Sequence, residues 1–192
     1  MSSTVPLAET LASSPAELRC LEEVRTATGA VDGPMERHGA RCYLLAQHLA
    51  VHRGIDADEE VLLCAGLVHD LGLYPGVAAG GAYTADGAEF AKRVLGELEW
   101  GAERIALCAN AIEFHHALRE QWSRGPEVEL MRLADRIEIS AGRLTCGLSA
   151  DTVQDVFSMA SRKGLYGEIA RMAGRALRER PLTLPLILRS HR

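Results

Sequence analysis

Apolar residues recur at three- and four-residue intervals along most of the chain, the spacing that lines one face of an α-helix. Ser14-Pro15-Ala16-Glu17 places a capping hydroxyl, a proline in the first helical position and a glutamate three residues after the cap, which predicts a helix from there through residue 26. A joint at residues 28–34 separates it from a second periodic stretch over residues 35–53, with Gly54 as its stop. Asp56 and Asp58 suit the opening of a third helix over residues 58–71, which contains the most apolar run of the chain, Val61 to Val68. Residues 73–82 (LYPGVAAGGA) read as a loop, and further helices are predicted over 86–98, 102–120, 128–144 and 151–180, the last broken around Lys163-Gly164. Residues 1–13 read as a flexible leader and 181–192 as a proline-interrupted tail, which leaves one domain over 14–180.

Composition sharpens the fold class. Aromatics make up 5% of the 192 residues while Ala, Leu, Glu and Arg are plentiful, so the expectation is an all-α, single-domain helical bundle with a core of its own. A net charge of −5 provides no basic surplus for a phosphate backbone or an anionic lipid surface, so nucleic acid is not expected as the primary partner. No run of about eighteen apolar residues occurs, and no basic segment followed by an apolar one opens the chain. A soluble cytoplasmic protein with no membrane partner is the resulting expectation. The five cysteines are an odd number with no C-x-x-C pair and are expected as reduced core residues rather than nucleophiles.

The chemistry lies in titratable groups on apolar helical faces. His38 shares a face with Cys42, Leu45 and Leu49; His69 shares one with Val61, Leu62 and Ala65, with Asp70 following it; Asp135 continues the line of Val128 and Met131 toward Ile139. A carboxylate buried alone costs several kcal/mol or takes up a proton, and neither face offers an obvious Lys or Arg partner. A divalent cation holding two imidazoles and two carboxylates resolves this, and such a nitrogen and oxygen set suits Zn, Fe or Mn better than Ca or Mg.

These residues resemble the HD-domain superfamily of metal-dependent hydrolases, helical proteins named for a His-Asp pair. The likeness rests on His38 within PMERHGARCYLLAQHL, His69-Asp70 within LCAGLVHDLGL and Asp135 within MRLADRIE, and spans about residues 34–140. It implies that His38, His69, Asp70 and Asp135 hold one divalent transition metal ion and that metal-activated water attacks a small-molecule substrate. Tyr83 stands where two-metal members place an additional His, which leaves His115 or His116 for a later position, and Leu73 stands where many phosphohydrolase members carry Lys or Glu. HDLGL, the Tyr83–Ala88 segment and Ala111–His115 are closest to the cyanamide hydratase-like branch.

The catalytic candidates are therefore Asp70 with His115 and His116, one of the two imidazoles serving as acid or base or else packing and complementing a helix end. Arg41, Tyr83 and Asp86 are candidates for the substrate pocket, although Asp86 also suits a helix cap with Tyr83 packed beside it. Arg37, Arg41 and Lys92 are the cations available to an anionic substrate. The functional readings are a hydrolase or hydratase, a phosphohydrolase acting on a phosphoester or nucleotide, a two-iron oxygenase, and a metal-containing ligand sensor. Apolar helical faces also leave a homo-oligomer open.

Overall fold

The computed structural model describes residues 5–179 and is all helical, with no strand among them. Nine α-helices follow in order: α1 Leu7–Leu11, α2 Pro15–Thr28, α3 Pro34–Arg53, α4 Glu59–Val68, α5 Tyr83–Gly96, α6 Ala102–Phe114, α7 Pro126–Ile139, α8 Ala150–Met159 and α9 Leu165–Glu179. The capping box at Ser14 forms as its residue types require: the Ser14 hydroxyl accepts from the Glu17 N–H, and the Glu17 carboxylate accepts from the Ser14 N–H.

α4 is the centre of the bundle because Val61 through Val68 are buried on every side, as an all-round apolar helix must be. α2, α3 and α6 pack around it, while α3 also packs on α7 and α6 on both α5 and α7. Two glycines set the closest approach. A Cβ on Gly39 of α3 would lie 2.3 Å from the Gly66 carbonyl oxygen of α4, so the two backbones meet with no side chain between them. That contact lies one residue from His38 and three from His69.

Helix ends depart from the periodicity where tertiary contacts take over. α4 stops at Val68, leaving His69 and Asp70 in the turn before a 3-10 turn at Leu71–Leu73; there a Cβ on Gly72 would overlap the Tyr83 carbonyl oxygen, so α5 is seated directly on this turn. α5 starts three residues early, at Tyr83. α6 ends at Phe114 rather than 120, with His115 buried just beyond it, and α7 ends at Ile139 because Ala141 and Gly142 adopt left-handed backbone. α8 and α9 are separate helices, divided near the expected Lys163-Gly164 break, with Gly164 at φ 89°.

The leader also needs correction. Residues 7–11 form α1, with Ala8 buried against the core, because a short apolar segment gains more by packing than by remaining in water. Residues 1–4, Arg180 and the 181–192 tail lie outside the described residues. No helix among the described residues is long and apolar enough to cross a membrane.

Candidate metal centre

Four elements bring their tips to one point. His38 comes from the second turn of α3, His69 and Asp70 from the turn that ends α4, His115 and His116 from the end of α6, and Asp135 from the last turns of α7. His38 Nε2 lies 3.1 Å from His69 Nε2, 3.7 Å from Asp70 Oδ2 and 3.5 Å from Asp135 Oδ1. His69 Nε2 lies 3.4 Å and 3.9 Å from the same two carboxylate oxygens. Nitrogen and oxygen ligands about 2.1 Å from one ion, at angles of roughly 90–110°, are about 3.0–3.4 Å apart; two of the five distances fall in that range and the other three exceed it by 0.5 Å or less, close enough for small side-chain adjustments to gather the tips around an ion.

The carboxylates are two-sided. Asp70 turns its other oxygen to His115 Nε2 at 3.6 Å, and Asp135 turns its other oxygen to His116 Nδ1 at 3.4 Å. Tyr83 closes that side with its hydroxyl 3.4 Å from His115 Nε2. Around this centre His38, His69, Asp70, His115 and Asp135 are all buried, whereas 37% of the His116 side chain reaches solvent. The opening is therefore beside His116.

Ring orientation is set from behind. The Nδ1–H of His69 donates to the Gly66 carbonyl at 2.9 Å and that of His115 to the Ile112 carbonyl at 2.6 Å, which aims each Nε2 into the cluster. The electrostatics favour a cation at this point. Burial opposes charge on His38, but Cys42, Asp135 and Glu138 outweigh it and hold the imidazole well above its ordinary value. Burial likewise opposes charge on His115, yet Asp70 and Asp135 raise it. Asp70 is held well below the carboxylate range against its burial, by His69 and His115. Asp135 falls to about 2, also against burial, chiefly through His38. The carboxylates thus draw positive charge onto neighbouring rings, and a divalent ion satisfies the same field without the protons. The donor set and its spacing fit such an ion.

On the other side, desolvation followed by the charge of His115 lowers His116, so its ring is neutral. The phenol of Tyr83 is raised well above its ordinary value by burial and then by Asp70 and Asp135, which keeps it a proton donor.

Two pocket candidates are corrected. Arg41 is fully buried, and four of its five N–H donors go to the Glu138 carboxylate and to the Ala160 and Ser161 carbonyls, so its guanidinium serves the fold rather than an open pocket. Asp86 accepts from the backbone N–H groups of Ala79, Gly80 and Gly81 and fastens the Gly-rich loop to α5, an arrangement required once that loop exposes successive N–H groups. Arg37 donates to the Asp32, Ser161 and Lys163 carbonyls, and Lys92 pairs with Glu89 on the surface.

Glu138 was not anticipated near the centre, whereas Cys42 lies beside His38 as their shared helical face implied. Glu138 is buried against His38 and Arg41, and the Cys42 sulfur lies 3.7 Å from His38 Nδ1, its thiol raised to about 11 chiefly by burial. A signal for Glu138 was present in its spacing, three residues beyond Asp135 on the same helical face.

A family model described as HD domain matches residues 35–140, more than half of the chain, and spans every residue of the cluster. No curated protein matches the chain.

Proposed function

Since the chain belongs to the HD-domain family, whose members are typically metal-dependent hydrolases, we propose that it is a single-metal hydrolase or hydratase acting on a small polar molecule. The observation that carries this reading is the convergence of His38, His69, Asp70 and Asp135, with neighbouring tips 3.1–3.9 Å apart, from three separate stretches of chain. When bound, the divalent ion supplies a Lewis acid and brings the pKa of a water it holds toward about 7.

The remaining steps belong to side chains. Substrate reaches the centre past His116, whose neutral ring beside Asp135 is placed to accept a proton. Tyr83 and His115, 3.4 Å apart, form a donor pair facing Asp70, so they supply the proton to an atom that gains negative charge. Asp70 holds His115 in place for this role. A neutral substrate suits the site better than a phosphoester, because Arg37, Arg41 and Lys92 are each engaged elsewhere. The hydratase-like motif at residues 69–73 supports the same preference.

One observation favours a second reading. The outward oxygens of Asp70 and Asp135 face His115 and His116, so a second group of potential ligands lies beside the first, as a two-iron oxygenase would need. Elemental analysis separates the two. We expect close to one equivalent of a divalent transition metal per chain, lost in His69→Ala, and turnover of nitriles or cyanamide by the loaded protein ahead of phosphate esters and nucleotides. Two irons per chain would favour the oxygenase, turnover confined to phosphoesters the phosphohydrolase, and a metal-free protein under replete conditions would sink both readings.

A further inference from the structure

We propose that Glu138 is a positioning residue for the metal centre: its carboxylate takes the Nδ1 proton of His38 and so holds that ring with Nε2 aimed at the ion. The inference rests on the metal-centre reading above and adds a role outside the four ligands.

The imidazoles occupy different places along their helices. His69 and His115 stand at the C-terminal ends of α4 and α6, where backbone carbonyls lack the N–H groups of a following turn and are free to accept from Nδ1. His38 is different. It is the fifth residue of a twenty-residue helix, where the preceding carbonyls serve the helix itself, so its Nδ1 needs a side-chain partner from elsewhere. Glu138 Oε1 lies 3.4 Å from that nitrogen, across a separation of 100 residues. Cys42 is the other neighbour, farther away at 3.7 Å, and sulfur is a weak acceptor.

Glu138 can act only as an acceptor. Arg41 donates to Oε1 from Nε at 3.0 Å and from a second nitrogen, and Arg162 donates to Oε2 at 3.1 Å. These two guanidinium groups keep the carboxylate ionised and fix its plane. With Glu138 as the acceptor, the ring carries its proton at Nδ1 and presents Nε2 as the ligand atom. The same arginines bind the joint between α8 and α9, through the Ala160 and Ser161 carbonyls from Arg41 and the Glu138 carbonyl from Arg162. The positioning device is thus anchored on α3, α7 and the joint between α8 and α9.

Zinc affinity measured by chelator competition tests this in wild type, Glu138→Gln, His38→Ala and the double variant. Loss of a partner of this kind weakens metal binding by about 10–100-fold, which is the fall expected for Glu138→Gln. Because Glu138 acts through His38, the double variant should bind no more weakly than His38→Ala alone. Wild-type affinity in Glu138→Gln, or a loss that adds in full to that of His38→Ala, would overturn the proposal. If Glu138→Gln leaves Arg41 uncompensated and fails to fold, Arg41→Gln/Glu138→Gln compared with Arg41→Gln decides the matter by the same criteria. A wild-type protein that takes up no zinc removes the metal-centre reading and this inference with it, whereas a zinc-binding wild type with an unaffected Glu138→Gln removes the inference alone.

Discussion

His38, His115, Asp135 and Glu138 exchange charge inside one buried volume, and the direction of each shift determines how the metal-free protein responds to pH. His38 and His115 are raised above the ordinary 6.5, so the stability they contribute is complete below pH 6.5 and is lost as the pH rises through their raised values. Asp135 and Glu138 are lowered from 3.8 and 4.5 to about 2; burial opposes the shift in both, and contact with His38 leads the opposing effects. Their contribution is present above those ordinary values and disappears as the pH falls toward about 2. His116, lowered to about 4, works the other way and costs stability as the pH falls below 6.5, so the cluster should make metal-free protein most stable near pH 6.5. Urea unfolding across a pH series checks this, and a stability that keeps climbing on the alkaline side of neutrality would contradict it. Zinc reverses the alkaline limb, because coordination requires the imidazoles without their extra protons.

Among the elements, the crossing of α3 and α4 decides whether the ligands meet. His38 and His69 reach 3.1 Å only because Gly39 and Gly66 let the two backbones touch. Gly39→Ala places a methyl group 2.3 Å from the Gly66 carbonyl oxygen, and backbone on both sides has no side-chain freedom with which to yield. The helices must separate. We expect a loss of about 1–3 kcal/mol or more in stability and weaker zinc binding, measured by urea unfolding and chelator competition. Gly174→Ala in α9 is the control: nothing lies within 4 Å of the added Cβ, so it should stabilise by roughly 0.5–1 kcal/mol with zinc affinity unchanged. Equal effects from the two substitutions would show that close approach at Gly39 is not what holds the ligands together.

For the molecule as a whole, the centre is a junction. α3, the end of α4 and α7 each carry candidate ligands, so an ion held by them would join segments up to 97 residues apart, from His38 to Asp135, and would bind only the folded chain. Zinc at 100 times its dissociation constant should add about 2.7 kcal/mol, which for a chain of this size raises Tm by roughly 5–11 °C. Chelation should return the transition to its metal-free position. Thermal melts with and without zinc measure the shift, and coincident transitions would exclude a structural junction here.

Local sequence determined the helices and much of the donor set, since both depend on periodicity and residue type. Ser14 to Glu17 specified a cap, Val61 to Val68 specified a central buried helix, and apolar faces marked His38, His69 and Asp135 as inward groups. Helix ends were less legible: α4 gives way to a turn at His69 and Asp70 because Gly72 must receive Tyr83, a contact between segments that no local period encodes. The same limit applied to Arg41 and Asp86. Their charges were visible, but only packing showed that Glu138 and two carbonyls occupy the first, and that three loop N–H groups occupy the second. Periodicity states which way a side chain leaves its own helix; what it meets there depends on how separate helices cross, and that is decided by close packing across the whole fold.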